Sequence, residues 1–349
     1  MSVPTGQSPE QDRAAEEANI AEIVQGFLAL QARAAGPDGH LRRATHAKGV
    51  CLRATFEVFD VTAGRDPTLA AQLAKGIYAK PGLYPATVRF SNSDPNVKPD
   101  YQPDVRALSF AVELAPGGLR GAGLNHARQD LSMQSATTLP VNDVPAFAVL
   151  ARVLASSSPA RSLWSSPFRD QLVFARTLMK AKLQTRQPLR PYQQLRYWSN
   201  VPFRHGATDV VKYSASPCAG NPARPLEQTN PNALQDELIR HLNEDTTMSS
   251  FDFGLQFLDT AKMTYRGKRR DADFWIENAS VEWKETQSPF HTVGRLTLLP
   301  RSQLSADASA ALYIDVTENS TPDSRPVGAV NRARWQAELA SRKARLGRS

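Results

Sequence analysis

A chain of 349 residues, 41% hydrophobic and 22% charged, has the make-up of a globular protein and can bury a core without covalent staples. Its two cysteines, Cys51 and Cys218, exclude a disulfide framework and a four-cysteine zinc site, and point to a reducing, cytoplasmic setting. The net charge of +8 comes with no helix-turn-helix, RNP or zinc motif, so no nucleic-acid partner is expected.

Residues 1–7 lack the basic and apolar regions of a secretion signal, and no apolar run is long enough to span a membrane. Ser8-Pro9-Glu10 reads as a helix start, a cap residue with proline at the first helical position. Ile20, Ile23, Val24, Phe27 and Leu28 then fall on one apolar stripe that ends before the turn Gly36-Pro37-Asp38-Gly39. Residues 1–39 are thus a helix and turn packed on the body, and 40–349 a single domain.

Residues 50–60 are rich in β-branched and aromatic side chains and predict a strand. A short helix is expected over 67–75, strands over 86–91 and 105–114, and a turn over 117–123. Helices follow over 143–155 and from Ser166-Pro167 to Lys182. The basic, proline-containing stretch 184–194 reads as an exposed connector. Further expectations are a strand over 209–214, a long loop over 217–231, a helix over 232–243, strands over 251–258, 280–283 and 292–299, and a final helix over 330–346. Early strands, middle helices and late strands define an α+β chain and suit a closed antiparallel barrel with helices outside it.

The organising stretch is Arg43-Ala44-Thr45-His46-Ala47-Lys48-Gly49, a loop that delivers a histidine to the mouth of the first strand. With Phe56-Glu57-Val58 it resembles the distal-histidine segment of haem catalases. Val88-Arg89-Phe90-Ser91 resembles the arginine–serine strand of that family, and Asp104-x-Arg106-x-x-x-Phe110-Ala111-Val112 its next strand. The likeness is closer to the short single-domain bacterial catalase-like proteins. Segments such as Tyr197-Trp198-Ser199, Pro202-Phe203-Arg204-x-Gly206 and Val211-Lys212-Tyr213 occur there in this order. Arg325-Pro326-x-Gly328-x-x-Asn331-Arg332-Ala333-Arg334 follows them.

The resemblance implies a catalase-like barrel core, haem b as cofactor, and a peroxide or organic hydroperoxide as substrate. It implies His46 as distal acid–base, Ser91 as the hydroxyl that orients its imidazole, and Arg43 and Arg89 as partners of the haem propionates. Two positions depart from the family. Its distal asparagine falls at Ser135, with Gln134 beside it. Its proximal tyrosine, four residues beyond Arg334, is Glu338. Three readings of Glu338 stand: a carboxylate ligand to ferric iron paired with Arg334, a residue of a haem-free pocket, or an i,i+4 surface pair with Arg334.

Lys48 reads as a turn charge. The tail residues Arg332, Arg334, Arg342, Lys343, Arg345 and Arg348 form a basic helix that can bind phosphate or an anionic membrane surface, or equally be a solvated helix end. The leading expectation is a catalase-like haem protein, peroxidase-like rather than a fast dismutase, for which a homo-oligomer is an allowed assembly. The alternative is a haem-free catalase-fold scaffold that binds an apolar ligand or a protein partner.

Overall fold

A computed structural model describes residues 10–36, 39–114, 128–222, 224–245 and 247–347. The expectations for Ser8-Pro9, the centre of the 36–39 turn, the 117–123 turn and Arg348 lie outside the described residues. In chain order the strands are β1 (Gly49–Val58), β2 (Gly82–Asn92), β3 (Arg106–Glu113), β4 (Arg128–Gln134), β5 (Tyr197–Trp198), β6 (Phe203–His205), β7 (Asp209–Pro217), β8 (Ser250–Phe257), the hairpin β9 (Thr264–Tyr265) and β10 (Lys268–Arg269), and β11 (Phe290–Gln303). The helices are α1 (Glu10–Arg33), α2 (Pro67–Leu73), α3 (Val144–Ala155), α4 (Pro159–Trp164), α5 (Phe168–Thr185), α6 (Ala233–Glu244), α7 (Ala272–Glu277), α8 (Ala306–Ala311) and α9 (Ala329–Leu346).

The main sheet runs β5-β4-β3-β2-β1-β11-β8-β7-β6, all antiparallel. Because β5 pairs with both β4 and β7, eight strands close into a barrel and β6 hangs from β7. Alternation along each strand sends one set of side chains inward. Val50, Leu52, Phe56, Val88, Phe90, Phe110, Leu131 and Met133 are nearly or wholly excluded from solvent there. The centre is aromatic, with Phe253 meeting Phe56 at 5.4 Å, Tyr213 at 5.4 Å and Phe110 at 6.0 Å between ring centroids. The barrel interior is packed, so a ligand cavity has to lie on the outer face of the strands.

Helix starts follow local rules. Asp143 caps α3, its Oδ1 accepting from the Ala146 N–H at 2.9 Å, and Asp66 caps α2 ahead of Pro67. Ile20 and Ile23 of α1 are buried, and α1 lies against α3 and α9.

Three expectations fail. Residues 280–283 are not a strand, because side chains serve their carbonyls: Gln256 Nε2 donates to the Trp283 carbonyl at 2.8 Å, and the segment packs its apolar groups with Trp275. The stretch 184–194 is not wholly exposed, since Tyr192 and Gln193 are buried. Strand β4 occupies residues for which the sequence pattern indicated none, because its first inward position is the polar Gln129, which leaves only Leu131 and Met133 to alternate.

Candidate functional site

The outward side chains of β2, β3 and β4 form cross-strand rows. Strand register sets Arg89 opposite Ser109, and Ser109 opposite Ser132; the next row is Ser91, Ala107 and Gln134. Small residues on β3 and β4 leave space above the sheet. That space is a cavity of about 140 Å³, roofed by the His46 loop, α9 and residues 312–316.

His46 adopts a left-handed backbone conformation (φ 58°), unusual for a residue with a Cβ. Three hydrogen bonds hold it there. Its N–H donates to the Ser93 carbonyl at 3.1 Å, Arg89 Nη2 donates to its carbonyl at 2.5 Å, and Ser91 Oγ lies 3.2 Å from its Nδ1. The structure therefore brings His46, Ser91 and Arg89 together. Burial, then the positive charges of Arg89 and Arg334, push the His46 pKa down to about 3, against a weaker opposing pull from the Asn92 carbonyl. The imidazole is neutral at physiological pH, with one ring nitrogen engaged by Ser91.

Lys48 is not a solvated turn charge. It is buried and ion-paired to Asp100 at 2.8 Å, and Asp100 also accepts from Asn92 Nδ2 at 2.8 Å and the Leu234 N–H at 2.9 Å. This network fixes the strand ends that carry His46 and Ser91. Gly49 sits where no side chain fits. A Cβ there would stand 2.8 Å from Arg89 Nη2 and 2.9 Å from Ser91 Cβ, and would press on the Phe90 carbonyl. Gly49→Ala is expected to cost about 1–3 kcal/mol of stability by overpacking, read from denaturant midpoints. An unchanged midpoint would show that β1 and β2 separate without strain.

Opposite the loop, α9 presents Arg334, Glu338, Ser341, Arg342 and Arg345 to the cavity. Their spacing (i, i+4, i+7, i+8, i+11) is one helical stripe. Val330, Ala333 and Ala337 occupy the buried stripe. Ser341 ties this helix to the loop, its Oγ accepting from the Ala44 N–H at 3.2 Å. Arg342 and Arg345, of the basic tail, thus border the cavity. The helical stripe beginning at Arg334 was the signal that could have placed them.

Glu338 lines the cavity with 44% of its side chain exposed, and Arg334 Nη2 lies at 3.6 Å. Burial raises its pKa and Arg334 opposes the rise. The pair borders the cavity. Arg43, Arg89 and Arg345 donate to the carbonyls of Leu312 (2.5 Å), His46 (2.5 Å) and Ala310 (2.7 Å), and none is ion-paired among the described residues. Burial followed by the charge of Arg89 brings the Arg43 pKa down to about 9, so it remains a cation at pH 7. Three uncompensated guanidinium groups bordering one cavity favour a ligand that carries carboxylates.

Segment 312–316 forms the remaining wall. Arg128 pairs with Asp130 at 2.6 Å, and Asp130 accepts from the Asp315 N–H at 2.7 Å. Burial pushes the Asp130 pKa up to about 6 despite Arg128. Tyr313 lies between the guanidinium groups of Arg128 and Arg342, at 5.4 Å and 4.6 Å from its ring centre.

Ser135 does not line this cavity. Its hydroxyl accepts from the Arg106 N–H at 3.0 Å at the end of β4, and Gln134, not Ser135, shares the Ser91 row. The side chains of successive residues point to opposite faces, which is why the choice between the two needed the register.

The donor set suits haem. Guanidinium groups match its two carboxylates, and a carboxylate oxygen and an imidazole face the cavity from different walls. The room is tighter: about 140 Å³ resembles the engineered cavity of ~150 Å³ that takes up benzene, so a whole porphyrin needs more space than these walls enclose.

A Ser–His–Asp geometry elsewhere is structural. His241 Nδ1 meets Asp245 at 2.9 Å and Ser249 Oγ lies 2.8 Å from its Nε2, but Ser249 and His241 are sealed from solvent. It fastens the end of α6 to β8.

An eight-stranded antiparallel barrel with its cavity on the outer face, beneath a C-terminal helix, has the catalase-like fold. Similar solved structures are catalase A from Saccharomyces cerevisiae (TM-score 0.64, 16% identity, covering 88% of this chain and 62% of that one), a fungal catalase (0.65, 14%, 88% and 60%), and a bacterial catalase (0.60, 16%, 98% and 62%). The chain spans about three fifths of the length of these proteins. No protein-family model matches the sequence, and no curated protein matches it.

Proposed function

We propose that this chain is a haem protein that reacts with hydrogen peroxide or organic hydroperoxides, as a peroxidase rather than a fast dismutase. The observation that carries this reading is the neutral His46–Ser91 pair bordering the same cavity as three guanidinium groups without a carboxylate partner. Haem b, when bound, supplies the electrons for O–O cleavage. His46 takes a proton from one peroxide oxygen and returns it to the departing one. Ser91 sets the tautomer by engaging Nδ1. Arg43 and Arg89, with Arg345, hold the carboxylates of the macrocycle, and Glu338 offers an anionic oxygen beside Arg334. Neither Gln134 nor Ser135 lines the cavity, and among the described residues no side-chain amide does, which is the basis for expecting slow dismutation.

The size of the cavity supports a second reading, a haem-free catalase-fold scaffold. Its lining is cationic, so the ligand would be a small organic anion rather than an apolar molecule or a protein partner.

Haem titration separates the two. Under the first reading, haem added to purified protein produces a Soret band that saturates at one equivalent. No band with excess haem, from protein that keeps its folded circular dichroism, leaves only the scaffold.

A further inference from the structure

We propose that α4 and α5 form a docking surface for an anionic membrane, with the helices lying in the lipid headgroup layer. Helix α5 buries one side, where Phe174 packs against Val149 and Val153 of α3. Its other side is apolar and uncovered. Phe168, Leu172, Met179 and Leu183 stand at i, i+4, i+11 and i+15, one stripe, and are 72%, 41%, 63% and 60% exposed. Trp164, at the end of α4, is 81% exposed.

The occupant is set by charge. Exposed Arg161, Arg169, Arg176, Lys182 and Arg186 flank the stripe, and none is ion-paired among the described residues. The lone acid between residues 159 and 186, Asp170, is already bonded to Arg152 at 2.6 Å. A second copy on this face would bring like charges together. A layer of anionic headgroups over an apolar interior matches both features, because long cationic side chains reach the headgroups while aromatic and aliphatic groups enter below them. Among the described residues no helix is long and apolar enough to cross a membrane, so the contact is in-plane.

The test is co-sedimentation of the full chain with phosphatidylcholine vesicles containing about 30% phosphatidylserine, against phosphatidylcholine alone. Binding to the anionic vesicles is expected to be at least tenfold tighter and to weaken as salt is raised. Met179→Glu should lower it about tenfold or more, and so should the surface pair Arg176→Glu with Lys182→Glu, with melting temperatures unchanged. Equal partition to both vesicles, or none, overturns the proposal. So does a concentration-dependent dimer that Met179→Glu dissolves, which would make the face a self-interface.

Discussion

His46→Gln is expected to lower hydroperoxide turnover by about 10²–10⁴-fold, the usual worth of a positioned acid–base, while haem still binds. The guanidinium groups that would hold the macrocycle contact only backbone carbonyls and the His46 main chain, so the substitution leaves them in place. A normal Soret band with lost turnover is the expected pair of results. Full turnover in the variant would remove His46 from the chemistry.

The same residue makes a prediction that needs no haem. Its pKa is about 3 in the fold and about 6.5 in an unfolded chain. Between those values the unfolded chain binds the extra proton. The contribution of the neutral imidazole is thus complete above pH 6.5 and is lost as pH falls toward 3. Denaturant midpoints of the wild type should fall across that window, and those of His46→Gln should fall less. Turnover should carry no protonation limb near pH 6.5. Parallel stability curves for the two proteins would mean that the imidazole is solvated.

Glu338→Gln should weaken haem binding at least about tenfold, because the amide keeps the shape but cannot supply an anionic oxygen. The sign of the pH effect is fixed by burial. Because the folded Glu338 carboxyl has a raised pKa, its ionised form is lost at a higher pH than for an ordinary glutamate. Haem affinity should therefore decline on acidification through that raised value, and Arg334→Leu should shift the decline to higher pH by removing the charge that opposes the rise. Glu338→Tyr, which restores a phenol four residues beyond Arg334, should sharpen the Soret band and raise dismutation. Affinity independent of both pH and residue 338 would place the iron contact elsewhere.

Much of the architecture was legible in local sequence. The segment containing Ile20 and Ile23 is a helix because its apolar groups recur at helical spacing. Asp143 marks the start of α3 because its carboxylate caps an orphan amide, whereas Ser166 does not cap α5: its hydroxyl donates to the Ser162 carbonyl, and Pro167 stands at the N-cap position. Strand β4 was hidden because the inward Gln129 is polar, which leaves only Leu131 and Met133 as an alternating pair. Strand β5 was hidden because two residues, Tyr197 and Trp198, have no period to read.

The sequence by itself determined the near-neighbour chemistry: the Arg43-x-x-His46 loop, the Arg89-x-Ser91 strand, and an acid in helical register with Arg334. Such groupings follow from spacing along one element. Only the tertiary structure decided which partners meet. Register chose Gln134 over Ser135 for the Ser91 row, and helix orientation brought Arg345 to the cavity beside Arg43. Closure of the loop buried Lys48 against Asp100, and the 312–316 wall set the room. Each depends on groups far apart in the chain, whose encounter is fixed by packing of the whole barrel rather than by any local preference.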